Sequence, residues 1–99
     1  MAEILLTIYC SKADGGLIAT ALRDATRHPV HQREEIVHGL DFSDASTAES
    51  VVGRLDRCAI DVRVEEAAAA ALIAQIGALK RAAPVRWRLT PVIASGRLV

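Results

Sequence analysis

The sequence predicts an α+β fold of the ferredoxin-like type: a four-stranded antiparallel sheet with two helices on one face. Three observations predict it. Four short stretches are rich in β-branched or alternating apolar residues, as strands are. Two longer stretches place apolar residues at helical spacing. Along the chain these stretches run β-α-β-β-α-β, the order of the split βαβ plan.

Glu3–Tyr9 is apolar at nearly every position, the mark of a central strand buried on both faces. Ile4, Leu6 and Ile8 take one face, and Leu5, Thr7 and Tyr9 the other. Cys10–Ala13 is a turn, and Ser11 or Asp14 is placed to cap the first helix. From Asp14 to Thr26 the apolar stripe Leu17, Ile18, Ala21, Leu22 and Ala25 predicts that helix. Gly15 and Gly16 weaken its first turn. His28-Pro29 ends it, because the residue before proline avoids helical torsions.

Glu34–Leu40 is the second strand, with Ile36, His38 and Leu40 on one face and Val37 and Gly39 on the other. Asp41–Asp56 is a long acidic, hydroxyl-rich loop, of a length usually reserved for function. Arg57–Val64 alternates strictly: Cys58, Ile60, Val62 and Val64 face a core, while Arg57, Ala59, Asp61 and Arg63 face water or a partner. Glu65–Ala83 is the second helix, alanine-rich, with Leu72, Ile76, Leu79 and Ala83 as its buried stripe and Ile73 at the edge. Its acidic start and basic end suit the helix dipole, and Pro84 blocks its continuation. Val85–Ala94 is the last strand, placed at a sheet edge by Pro91, which has no N–H to donate. Ser95–Val99 is a short tail.

The 99 residues make a single domain, 1–99. With 52% apolar and only 3% aromatic residues, the chain has more apolar surface than one small protomer hides, so self-association is expected. A formal net charge of zero argues against nucleic acid and against electrostatic membrane anchoring. The longest apolar run is far short of a bilayer span, and Glu3 stands where a signal peptide would be basic. A cytoplasmic protein with Cys10 and Cys58 as free thiols is the expectation. The open sheet face would carry Leu5, Thr7, Tyr9, Asp61, Arg63, Arg86 and Arg88, a mixture suited to an interface.

The chemistry-bearing residues form no strong motif. Cys10, His28, His31, His38, Asp41, Asp44 and Cys58 are possible metal ligands, but no zinc-type spacing joins them. Of these, His38, Asp41 and Asp44 at the loop base, with Cys10, form the candidate set. Gly77–Pro84 holds one glycine, so no glycine-rich phosphate cradle precedes the last strand. Arg54, Arg57, Arg86, Arg88 and Arg97 are available to anions. Ser43, Ser46 and Ser50 lie in no nucleophile elbow, and no catalytic constellation is visible, so the chain is read as non-enzymatic.

Glu35-Ile36-Val37-His38-Gly39-Leu40 leading into a long loop, the run Cys58–Ala83 and the final strand resemble the PII-like (GlnB-like) superfamily. Ile4–Cys10, Ala48–Arg57 and Trp87–Leu98 are similar to a family of small bacterial PII-like proteins often encoded beside heavy-metal efflux pumps. The resemblance implies a homotrimer with inward-facing sheets and a T-loop at about 41–56. It implies an adenine nucleotide between subunits, with Gly39 at the loop base. Through Asp41, Phe42, Ser43, Asp44, Ser46, Thr47 and Glu49 the loop would touch a partner, such as a membrane transporter or efflux-pump component. The expected function is a regulatory, signalling one. The alternative is a divalent-metal tolerance protein similar to the CutA branch, holding copper or zinc.

Overall fold

The computed structural model describes residues 2–39 and 54–99. Strand β1, Glu3–Ser11, is followed by a 3-10 turn at Lys12–Asp14 and by helix α1, Gly15–Thr26. Strands β2, Val30–His38, and β3, Arg54–Glu65, come next. A second 3-10 turn, Glu66–Ala68, leads into helix α2, Ala69–Ala78, and strand β4, Arg86–Pro91, completes the sheet. The sheet order is β2-β3-β1-β4, antiparallel throughout. This is the expected ferredoxin-like arrangement, with β1 central and the Pro91-bearing strand at an edge.

The core lies on one side of the sheet. Ile4, Leu6, Ile8 and Cys10 of β1 and Cys58, Ile60, Val62 and Val64 of β3 meet Ile18 and Leu22 of α1 and Ala69, Leu72 and Ile76 of α2. Both helices therefore cover the same face, and each fully buried aliphatic side chain contributes about 1.5–3 kcal/mol. Among the described residues no helix is long and apolar enough to cross a membrane.

Several boundaries differ from the sequence expectation. Strand β2 begins at Val30 and ends at His38, not Glu34–Leu40, because Val30 and His31 already pair with Val62 and Asp61. The polar run His31–Glu35 masks a strand whose edge position tolerates charge. Strand β3 starts at Arg54, so Arg54, Leu55 and Asp56 belong to a ladder and not to the loop. Leu40 and the rest of that loop, 41–53, lie outside the described residues. Strand β4 stops at Pro91 and not at Ala94. Leu17 is 43% exposed, off the buried stripe of α1.

Helix α2 is shorter than Glu65–Ala83. Glu65 ends β3, and Leu79 is already extended at φ −70°, ψ 147°. The alanines beyond it have helical propensity, but Asp14 takes their amides. Its carboxylate accepts the N–H of Ala82 at 2.8 Å, the N–H of Ala83 at 3.2 Å and the Ser11 hydroxyl at 3.0 Å. Asp14 and Ser11 thus cap neither their own turn nor α1; they tie the start of α1 to the segment before β4. Arg81 braces the same segment, donating to the carbonyls of Ala83 and Gly77.

Gly15 has a structural role beyond weakening a helix turn. A Cβ there would stand 2.7 Å from Gln32 Nε2 and 3.1 Å from Cys58 Sγ, so α1 approaches the sheet through a hydrogen-only surface. Gly16 has open space around it. Helix α1 closes on Arg27 in the left-handed conformation, φ 61°, whose N–H bonds Arg23 O at 2.8 Å. That position normally favours glycine.

These contacts bear on stability in two measurable ways. Arg27→Gly relieves the left-handed strain and should raise unfolding free energy by about 1 kcal/mol in urea melts. Asp14 is buried, which alone pushes its carboxyl up. The amide bond from Ala82, the Ser11 hydroxyl, the Ala83 amide and the Arg81 charge outweigh that and hold it below the ordinary value. The native state therefore favours the carboxylate. Its contribution is complete above about pH 4 and is lost as pH falls through the folded value. Asp14→Ala should cost about 1–3 kcal/mol at pH 7 and flatten the acid limb of a stability–pH curve. An unchanged limb would mean the latch is absent in solution.

Candidate functional site

Among the described residues no helix covers the second face of the sheet, and the cross-strand register decides which side chains share it. Thr7 lies opposite Asp61 on one side and Arg88 on the other, Tyr9 opposite Ala59 and Arg86, and Leu5 opposite Arg63 and Thr90. From β2, His31 meets Asp61, Arg33 meets Ala59, Glu35 meets Arg57 and Val37 meets Leu55. This is the mixed face expected from the sequence, with β2 added to it.

At its centre Asp61 accepts the Thr7 hydroxyl at 2.6 Å and an Arg33 Nη1–H at 2.5 Å. The Asp61 hydrogen bond pushes the Arg33 guanidinium above its ordinary value. Arg63 pairs with Glu3 at 3.2 Å and also donates to the Ser95 hydroxyl, which holds the tail against the sheet. The Arg88 guanidinium lies over the Tyr9 ring, 5.4 Å from its centroid, within cation–π range.

Two hollows flank this centre. The first is a cleft of about 400 Å³ lined by Tyr9, Glu35, Val37, Leu55, Arg57, Arg86 and Arg88. It is built from the C-terminal ends of β1 and β2 and the N-terminal ends of β3 and β4, the end of the sheet at which the chain leaves β2 and re-enters β3. Leu55 and Arg57 form its floor and are nearly inaccessible, at 6% and 5%. Three guanidiniums and one carboxylate line it, Arg57 and Arg86 each with an interaction of its own in the fold, and Tyr9 and Val37 add apolar surface. The second hollow, about 310 Å³, is at the other end and is lined by Leu5, His28, Pro29, His31, Asp61, Arg63, Val92 and Ser95.

The cleft gathers three of the six expected ligand residues: Arg57, Arg86 and Arg88. Arg54 pairs with His38 and so belongs to the helix side of the sheet, Gly39 lies just beyond β2, and Arg97 is in the exposed tail; none of them lines the cleft. Sequence reasoning placed Tyr9 on this face without marking it as a ligand residue, and missed Glu35, Val37 and Leu55. Glu35 and Val37 alternate along β2 and were legible there, but Leu55 was hidden by assigning 41–56 to a loop.

The expected metal set is not assembled among the described residues. Cys10 is fully buried opposite Cys58. His38 is exposed, two strands across and four register positions away, on the order of 15 Å. Asp41 and Asp44 lie outside the described residues, as do Phe42, Ser43, Ser46, Thr47 and Glu49. His28 and His31 share the second hollow, yet among the described residues no three His, Cys, Asp or Glu side chains stand close enough to share an ion. Burial, followed by the neighbouring Cys58 and Asp14, pushes the Cys10 thiol up to about 11.

A family model described as "Protein of unknown function (DUF3240)" matches residues 4–99, and the chain belongs to that family. A crystal structure of a DUF3240 family protein from Shewanella baltica OS155 is similar to it at TM-score 0.78 and 16% identity, covering 100% of this chain and 99% of that one. A Bacillus cereus protein related to NIF3 is similar at TM-score 0.69 and 12% identity, over 97% of this chain and 26% of that one. At these identities the likeness concerns the fold. No curated protein matches.

Burial makes the thiols inert in the folded state. At pH 7.5 a thiol reagent should modify Cys10 and Cys58 only at the rate of unfolding, and quickly in 6 M guanidinium, where both thiols are accessible. Rapid labelling of the native protein would contradict the buried placement.

Proposed function

We propose that this DUF3240 family member is a non-enzymatic regulatory protein of PII-like type. It assembles as a homotrimer with the open sheet faces turned inward. It binds an anionic small molecule, an adenine nucleotide, and signals through the segment between β2 and β3. The observation that carries this reading is the cleft of Arg57, Arg86, Arg88 and Tyr9 at the root of that segment. A ligand held there touches the strand ends that frame the segment, so binding is coupled to its conformation. The partner addressed by residues 41–53 would then be a membrane transporter or efflux-pump component.

The cleft meets two needs of a nucleotide: guanidiniums for phosphate oxygens and an aromatic with aliphatic walls for a base. It departs from a backbone cradle. The amides of Ala82 and Ala83, in the segment before β4, already serve Asp14. Guanidinium contacts, and not a glycine-rich loop, would carry the phosphates.

Light scattering on the purified, metal-free protein, with a thermal-shift panel of ATP, ADP, AMP, cyclic AMP, Zn²⁺, Cu²⁺, Ni²⁺ and Co²⁺, tests the proposal. A trimer mass and a nucleotide shift are expected. At 100 times Kd the ligand stabilises by about 2.7 kcal/mol, a rise on the order of 10 °C for a chain of this size. Arg88→Ala should remove most of the shift. A shift with metals alone would replace this reading with the tolerance-protein one, and no shift with any ligand would end the sensor proposal.

A further inference from the structure

Cys10 and Cys58 stand directly opposite each other across the ladder of β1 and β3. Opposed residues of an antiparallel pair share a face, and these two share the core face, at 0% and 2% exposure. The end of the ladder fixes their pairing class. One step beyond Glu3–Glu65, the Glu66 N–H bonds Ala2 O at 2.9 Å, which makes Ala2–Glu66 a hydrogen-bonded pair. Glu3 O turns the other way, to the Val92 N–H at 3.2 Å. Following the register in steps of two from Ala2–Glu66 reaches Cys10–Cys58, which is therefore hydrogen-bonded too, with Cα atoms about 5.5 Å apart. A disulfide spans Cα atoms at about that separation. The surroundings leave the Cys58 sulfur room: Gly15 presents no Cβ to it, and Gln32 Nε2 donates to it at 3.7 Å.

We propose that Cys10 and Cys58 are a redox switch, a dithiol that closes reversibly into a cross-strand disulfide and acts through the strands on the arginine-lined cleft. This goes beyond ligand binding and needs no ligand. The oxidant is a small disulfide such as oxidised glutathione. The thiolate of one cysteine attacks it, forming a mixed disulfide and releasing one glutathione. The second thiolate attacks the protein sulfur of that mixed disulfide, forms the Cys10–Cys58 bond and expels the second glutathione. Two protein thiols are oxidised, one external disulfide is reduced, and the two protons end on glutathione. Burial holds this exchange to the rate at which the core opens, but it does not set the equilibrium.

Two features make the pair a switch and not a permanent staple. The Cβ atoms of a hydrogen-bonded pair stand roughly 5.5 Å apart, and a bridge draws them to about 3.8 Å. Such a bridge is strained, and strained bridges are the reducible ones. The movement also reaches the other face. Tyr9 precedes Cys10, Arg57 precedes Cys58, and both line the cleft. Drawing the strands together on the core side tilts them and spreads these two neighbours on the open side.

The experiment equilibrates the full chain in glutathione buffers from fully reduced to fully oxidised. It starts once from reduced protein and once from protein refolded out of guanidinium with oxidised glutathione. Thiols are then alkylated in guanidinium and counted by mass, and the unreduced protein is peptide-mapped. Alkylated thiols should fall from two to none on a folded chain, with half-oxidation inside the buffer series, the same fraction by either route, and reversal by dithiothreitol. Glutathione adducts or bridges between chains in place of the Cys10–Cys58 bond overturn the proposal. So does a bridge present only in unfolded protein, or one that withstands reduced glutathione. Tyr9 is the only tyrosine, so its ring resonances report the cleft. They should shift on oxidation of the wild type and stay in place for Cys10→Ala and Cys58→Ala. If neither variant folds, reversal of the wild-type shift by dithiothreitol is the control. Unmoved resonances in bridged wild type refute the action on the cleft.

Discussion

Everything in the molecule depends on the ladder between β1 and β3. Their alternate residues supply most of the sheet's share of the core, and β2 and β4 attach to their outer sides. The two described helices cover one face of the four strands, so that face is committed to packing, and the described polar groups of the other face pair among themselves. The pairings are Asp61 with Thr7 and Arg33, Arg63 with Glu3 and Ser95, and Arg88 with Tyr9. The cleft is the part of that face where positive charge outnumbers negative. The packed core and the charged cleft are therefore two sides of one sheet, separated by the thickness of a strand.

The element order and both faces of β1 and β3 were legible in the sequence. Strict alternation at Cys58–Val64 and apolar density at Ile4–Ile8 arise from little besides strands packed on a core. Boundaries were less legible. His31–Arg33 reads as loop on composition, yet an edge strand needs only one apolar neighbour and accepts charge elsewhere. The alanines at Ala82 and Ala83 read as helix on propensity, yet a carboxylate 68 positions before Ala82 claims their amides. No local window holds that information.

The candidate site was half legible. Five arginines were marked by residue type alone, and strand pairing brought Arg57, Arg86 and Arg88 together while sending Arg54 to the opposite face. Odd and even positions on β3 thus separate a cleft residue from a bystander only three residues away. Cys10 shows the reverse. It was marked by chemistry at a strand end, and the fold made it a core atom by placing Cys58 beside it and the start of α1 near Gly15 over them.

The position of β1 in the sheet also matters while the chain is being made. Of the four strands it leaves the ribosome first, but its two neighbours are β3 and β4, and β4 is the last of the four to be synthesised. Its first possible partner must wait for the segment between β2 and β3 to be completed. Its second must wait for Arg86–Pro91, and the Asp14 latch waits nearly as long. Until β3 is made this almost wholly apolar strand has no ladder on either side, and until β4 is made it has one on a single side, a condition in which nascent chains recruit chaperones or stick to each other. The first nine-residue strand therefore stays incompletely paired until the last six-residue strand arrives.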